Sequence, residues 1–255
     1  MERAIDWLRA QLAGKRPTIV PVVNALTPLQ SLKGRTQPVL VQCDDGRDYV
    51  IKGSQVGRSL IADHVVGALG TLVEAPVPPV AIVNVAEALV QPGSMLAHCS
   101  AGPAHGSRFI QDCEDSSYIR YIDAAGNPER FAALAVLFGW TDPEDRQFLY
   151  HRREPHVVYS VDHGAFFTGT DNWSVETLSL GLTAECDQFV YGSALVSREK
   201  LREAIDKLRS ISENEILDIV AGLPEVWGIS LDERAVLAHY LNSRRAALLG
   251  SEFAR

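Results

Sequence analysis

The chain has 255 residues, a formal net charge of −8, 46% hydrophobic and 22% charged residues, with 19 Gly and 13 Pro. This excludes a disordered, collagen-like or disulfide-stapled chain and predicts a soluble globular protein with core enough for one large domain or two lobes. The acidic balance also excludes general nucleic-acid binding, so an anionic ligand must be held by local cations, amides or metal.

The first predicted element is a short amphipathic helix over residues 2–13, with Ile5, Leu8 and Leu12 at helical spacing. Glu2, Arg3, Asp6 and Arg9 in that stretch leave no apolar signal region. Residues 18–24 read as a strand interrupted by Pro21, hence an edge. Residues 37–43 and 48–53 are short β runs flanking Asp44-Asp45-Gly46-Arg47, a hairpin signal. Residues 58–72 fit a helix, with Leu60, Ile61, Val65, Ala68, Leu69 and Leu72 as its apolar stripe. Pro76, Pro78 and Pro79 then lead into a strand at 80–86.

The small, polar, Gly/Pro-rich stretch 92–107 reads as a linker or mobile loop, after which the chain is expected to be mainly helical. A helix at 128–139 opens with Pro at a first helical position. A short buried strand at 156–162 ends in Asp162-His163-Gly164. Leu201, Ala204, Ile205 and Leu208 mark a further helix. Ser212 with Glu215 and Ser230 with Glu233 form two capping boxes, opening helices over about 212–221 and 230–249. No run of about 18 apolar residues is present, and no membrane association is expected. Cys43, Cys99, Cys113 and Cys186 form no C-x-x-C pair and read as reduced thiols of a cytoplasmic protein. Cys99, His98 and Cys113 lack zinc-ligand spacing.

Four residues stand in an informative order: Gly34 before the hairpin, Lys52 ending its second strand, Asp145 after the apolar helix, and Asp162 closing a buried strand. Taken singly, each of the first three has an ordinary reading as a turn, a solvated cation or a surface carboxylate. Asp162 is different. A carboxylate at the end of an apolar strand needs a partner, because an unpaired buried charge is costly, and a metal would serve. Together they suit phosphoryl transfer, which needs charge neutralisation and positioning more than covalent chemistry.

These segments resemble the HipA-like kinases, part of the wider protein-kinase-like and phosphatidylinositol-kinase-like superfamily. Asp44-Asp45-Gly46 with Tyr49-Val50-Ile51-Lys52 is similar to the family's "DDG…YVVK". Residues 70–79 resemble "LGLPVPP", Gly106-Ser107-Arg108 resembles "FGSR", and Phe138-Gly139-Trp140 with Asp145-Arg146-Gln147-Phe148 resembles "FGW…DHQF". Most specific is the run Tyr159 to Phe167, close to "YSVDHGHFF". Pro224 to Trp227 and Leu241 to Arg244 resemble the family's helical tail.

The resemblance implies an α+β, two-lobed protein-kinase-like fold. A small β-rich lobe would span 1–91 and a larger helical lobe 92–255. It implies ATP and Mg²⁺ as cofactors and a protein or small-molecule hydroxyl as acceptor. By the same resemblance, Lys52 holds ATP phosphates, Gly34 and its neighbours' amides approach them, Asp145 is the catalytic carboxylate and Asp162 binds Mg²⁺. A separate protein partner is also implied, since toxin kinases of this type work with an antitoxin.

Two positions depart from the pattern. Asp63 stands where the family carries a Glu that pairs with the lysine, so that ion pair needs a closer helix. Tyr150 stands five residues after Asp145, where a metal-binding Asn is expected, which leaves Gln147 as the nearest carbonyl donor. In a rival register Asp142 is catalytic and Gln147 falls five residues later. The uninterrupted Asp-Arg-Gln-Phe string favours Asp145. The Asp63 and Tyr150 departures also suit a pseudokinase that binds nucleotide without transfer.

Overall fold

The computed structural model describes residues 2–15 and 20–254. Helix α1 (Glu2–Ala13) buries Leu8 and Leu12, as its spacing predicts, and packs on the C-terminal helices. Five strands follow: β1 (Val22–Ser31), β2 (Val39–Cys43), β3 (Asp48–Lys52), β4 (Val80–Val85) and β5 (Gly102–Arg108). They close into a barrel in the order β1-β2-β3-β5-β4. Alternate residues fill it: Val39, Val41 and Cys43 from β2, Tyr49 and Ile51 from β3, Ala81, Val83 and Val85 from β4.

Two expectations change here. Residues 18 and 19 of the first expected strand lie outside the described residues, and β1 starts after Pro21. It is not an edge. Val22–Asn24 pair in parallel with β4, and Ala25–Ser31 pair antiparallel with β2, with irregular register around Pro28. The stretch expected as a linker ends in β5, which pairs with both β3 and β4. Its small residues are what the barrel needs, because a Cβ on Gly106 would stand 2.5 Å from Val83 Cγ2.

Helix α2 (Arg58–Leu72) crosses between the barrel and the rest of the chain. It is buried almost all round, from Ser59 to Gly70, the polar Ser59, Asp63 and His64 included. It touches β4 and β5 on the barrel side and α3 and α7 of the helical body, whose ranges follow.

The body holds a three-stranded antiparallel sheet in the order β6 (Cys113–Ser116), β7 (Gln147–His151), β8 (Val158–Val161). Of these only β8 has a counterpart in the expected elements. Helix α3 (Asn127–Thr141) carries Pro128 in its first turn, as expected, and is buried from Phe131 to Thr141. Then come α4 (Val175–Leu180), α5 (Gln188–Ser193), α6 (Arg198–Ser210), α7 (Glu213–Ala221) and α8 (Leu231–Leu249). Both expected capping boxes form: Ser212 with Glu215 opens α7, and Ser230 with Glu233 opens α8. The α6 stripe Leu201, Ala204, Ile205 and Leu208 is buried. Among the described residues no helix is long and apolar enough to cross a membrane.

Candidate active site

Lys52 ends β3 on the face opposite Tyr49 and Ile51, which point into the barrel. Its side chain is 8% exposed, and a cation so buried needs compensation. Two carboxylates supply it. Asp63 Oδ2, from the second turn of α2, and Asp162 Oδ1, from the residue after β8, each accept a 2.6 Å hydrogen bond from Lys52 Nζ. The two carboxylates differ in access: the Asp63 side chain is 5% exposed and that of Asp162 is 52% exposed.

The short arm of Asp63 is met by a close helix, as its identity requires. Gly164 makes the approach feasible, since a Cβ there would stand 2.9 Å from Ser59 Cβ in the first turn of α2. The backbone N–H of His163 donates to Asp63 Oδ1 at 2.8 Å. Asp162 itself has φ 58° and ψ 63°, a left-handed conformation that ends the strand and opens a 3₁₀ turn over His163–Ala165. Burial pushes the Asp63 carboxyl up, but Lys52, His105 and His163 together outweigh burial and hold it well below the ordinary range. Burial likewise pushes the Lys52 ammonium down, and Asp63 and Asp162 together hold it above its ordinary value.

Three buried histidines back the cluster. His105 lies opposite Lys52 in the β3–β5 ladder, with Nε2 at 3.9 Å from Asp63 Oδ2. Its Nδ1 faces His64 Nδ1 at 3.2 Å. His163 Nδ1 lies 3.8 Å from Asp63 Oδ1, and its Nε2 meets Ser160 Oγ at 2.9 Å. Burial pushes His64 down to about 3 and His105 down to about 4, so both are neutral at pH 7. Asp63, Lys52, His163 and the Trp227 ring surround the pair.

A stability prediction follows from these two imidazoles. As pH falls below their ordinary value of 6.5, the unfolded chain takes up protons before the folded one does. Stability is therefore complete above about pH 6.5 and is lost as pH falls toward about 4, by on the order of 3 kcal/mol per imidazole. Denaturant midpoints between pH 7.5 and 4 should drop accordingly, and less so in His64→Phe. A flat profile would refute the neutral pair.

Gly34 lies in the exposed loop joining β1 and β2, which is closed by Leu32 N–H to Pro38 O at 2.8 Å and Gln37 N–H to Gly34 O at 3.1 Å. The residues after it roof a cavity of about 460 Å³ whose other walls include Arg58, Ser59 and Asn172. Arg35 pairs with Asp171 at 2.7 Å across it.

Asp142 ends α3 with φ 59°. Its Oδ2 accepts a 2.6 Å hydrogen bond from Thr168 Oγ1, and its Oδ1 lies 3.6 Å from Arg244 Nη2. Arg244 is buried in α8 and donates to the carbonyls of Gly139, Trp140, Gly181 and Thr183. Asp142, Arg146, Thr168, Glu185 and Arg244 help to line a cavity of about 600 Å³. Asp145 is exposed in the loop before β7, and its carboxylate has no hydrogen bond or ion pair among the described residues. Gln147 opens β7 and pairs in register with Val161, which places it across the ladder from the strand end that carries Asp162. Tyr150 is buried, its hydroxyl donating to Tyr118 O at 3.0 Å. The four cysteines are free, and no three His, Cys, Asp or Glu side chains among the described residues converge as a metal site.

Sequence reasoning thus picks out Lys52, Asp63 and Asp162, which the fold brings into direct contact. It misses His64, His105 and the Arg244 anchor. Arg244 lies inside the tail segment singled out above, whereas His105 sits in the stretch taken for a linker.

Comparison with known proteins bears on this arrangement. The chain belongs to the HipA-like kinase family, whose model matches residues 28–250. No curated protein matches it. Among solved structures it is similar to the proinflammatory kinase CtkA of Helicobacter pylori, with a TM-score of 0.58 and 10% identity over 90% of this chain and 96% of that one. It is also similar to a Golgi casein kinase, in two structures with TM-scores of 0.46 and 0.47, each at 10% identity and covering 98% of this chain. Those alignments span 76% and 77% of the casein kinase chains. The likeness to CtkA is one of fold.

Proposed function

We propose that this HipA-like kinase binds ATP with Mg²⁺ and transfers the γ-phosphoryl group to a hydroxyl of a protein or small-molecule acceptor. The observation that carries the reading is the single Lys52 ammonium shared by a buried Asp63 and a half-exposed Asp162. Asp63 is a permanent partner that keeps Lys52 aimed. Asp162 is an exchangeable one, free to turn toward a metal while Lys52 turns toward phosphate.

The donor set fits Mg²⁺, a hard cation that takes oxygen ligands and is usually held by one or two carboxylates plus substrate phosphates. Asp162 and the Gln147 side-chain oxygen would hold it. When bound it neutralises charge on the transferring phosphoryl group. The amides around Gly34 would cover the phosphates. The chain then divides in kinase fashion into a small lobe and a helical lobe. We place the boundary after β5 rather than at residue 91, because β5 is a barrel strand. The four free cysteines support a cytoplasmic setting.

For the catalytic carboxylate we favour Asp142 over Asp145. Asp142 is oriented by Thr168 and Arg244 and faces the larger cavity, which we assign to the acceptor. Gln147 then follows it by the spacing of a second metal ligand. Asp142→Asn should lower transfer roughly 10²- to 10⁴-fold, the range for loss of a general base, and Asp145→Asn should change it less than about threefold. The reverse pattern would return the role to Asp145.

A second reading, nucleotide binding without transfer, is favoured by Gln147 in place of Asn and by Tyr150 serving the core. Radiolabelled [γ-³²P]ATP in autophosphorylation and acceptor screens, read beside thermal shift with Mg·ATP, separates the two. Binding without transfer across the screen selects the second reading, and equal signal from wild type and Asp162→Ala rejects transfer.

A further inference from the structure

Asp63 must hold Lys52 with an arm one methylene shorter than Glu, and it must do so alone whenever Asp162 turns away. We propose that His105, oriented by His64, is a positioning residue that fixes the Asp63 carboxylate for this task. The proposal rests on the kinase reading only for its consequence, since the contacts stand without it.

The argument starts from hydrogens. His64 Nδ1 and His105 Nδ1 face each other at 3.2 Å, so one of them donates and the other accepts. If His105 donated, its proton would sit on Nδ1, and the bare lone pair of Nε2 would face the Asp63 carboxylate at 3.9 Å. That arrangement sets two negative ends against each other in a buried site. If His64 donates, His105 carries its proton on Nε2 and turns a positive N–H toward Asp63. The carboxylate therefore selects one tautomer of each ring: Nδ1–H on His64 and Nε2–H on His105.

The pair is itself braced. The His64 ring stands edge-on to Trp227 at 5.1 Å, and Trp227 Nε1 donates to Pro103 O, two residues from His105, at 2.8 Å. The line Trp227, His64, His105, Asp63, Lys52 thus joins the segment before α8 to the last residue of β3. This gives the Pro224–Trp227 motif of the sequence a role: it closes the far end of the line. The contact on Asp63 is to Oδ2, while the His163 N–H donates to Oδ1. Supports on both oxygens keep a short side chain from swivelling, as groups behind a metal or catalytic ligand do.

Two measurements test it. Nitrogen-15 NMR of the histidine rings in nucleotide-free protein reads the tautomers directly. His105 as Nε2–H and His64 as Nδ1–H are expected, with His105 losing that preference in Asp63→Asn. The opposite tautomers would overturn the proposal. Titration of Mg·ATP against variants reads the consequence. His105→Leu should weaken binding about tenfold, and His105→Gln, which keeps an N–H, should restore most of it. The double variant His105→Leu/Asp63→Asn should bind no worse than Asp63→Asn alone, since both act through one carboxylate. Additive losses, or no loss in His105→Leu, would overturn the proposal. Wild-type protein that binds no Mg·ATP would overturn the kinase reading, and the ring tautomers would still decide the role of His105.

Discussion

Asp162→Ala should abolish measurable phosphoryl transfer, a loss of roughly 10³-fold or more, while leaving the folded protein about as stable as before. The first half follows from its proposed role as the metal carboxylate, because the charge on the transferring group would lose its main counter-ion. The second half follows from exposure. The Asp162 side chain is 52% exposed, and removing it leaves Lys52 with Asp63 still at hand. Thermal melting without nucleotide should shift by no more than a few degrees, and the upward shift caused by Mg·ATP should disappear. A large fall in melting temperature without nucleotide would instead make the Lys52–Asp162 contact a strut of the fold.

Lys52→Met should show the opposite balance. Transfer is lost again, but now the fold suffers. Asp63 would remain in a site where its side chain is only 5% exposed, with its cation gone. Breaking a buried pair from one side costs about 3–5 kcal/mol, because the remaining charge is uncompensated. For a chain of this size that corresponds to a melting-temperature fall of roughly 10 °C. Asp63→Asn in the Lys52→Met background should recover much of the stability and none of the activity. If Lys52→Met melts like wild type, the Asp63 charge is compensated by something other than Lys52.

How much of this could be read in the sequence depended on where the information sits. The hairpin around Asp44–Arg47, the buried helix 58–72 and the two Ser/Glu capping boxes are local signals, and each appears where its residues place it. The Lys52, Asp63 and Asp162 cluster was legible through the motif resemblance. Strand β5 was not, because Gly102-Pro103-Ala104-His105-Gly106 has no strand propensity of its own. Its conformation is imposed by β3 and β4 on either side. Strand β7 was hidden by following directly on a charged loop. Asp142 and Asp145 are three residues apart, and spacing alone could not rank them. What distinguishes them is the end of α3, where Asp142 turns left-handed and meets Thr168 and Arg244 from distant parts of the chain. Long-range partners of that kind leave no periodic trace.

A machine that is switched by swinging an arm needs slack at the shoulder, and α2 has little. Its first turn lies against Gly164, Asp63 is tied to the backbone of His163, and Arg58 is paired with Glu233, the residue that also closes the cap of α8. Any pivot wide enough to separate Asp63 from Lys52 would release all three fastenings together. On the proposed reading, the lysine is thus set before nucleotide arrives. Control over a kinase of that kind would then be exerted on what reaches it, acceptor and nucleotide, rather than on whether this helix is in place.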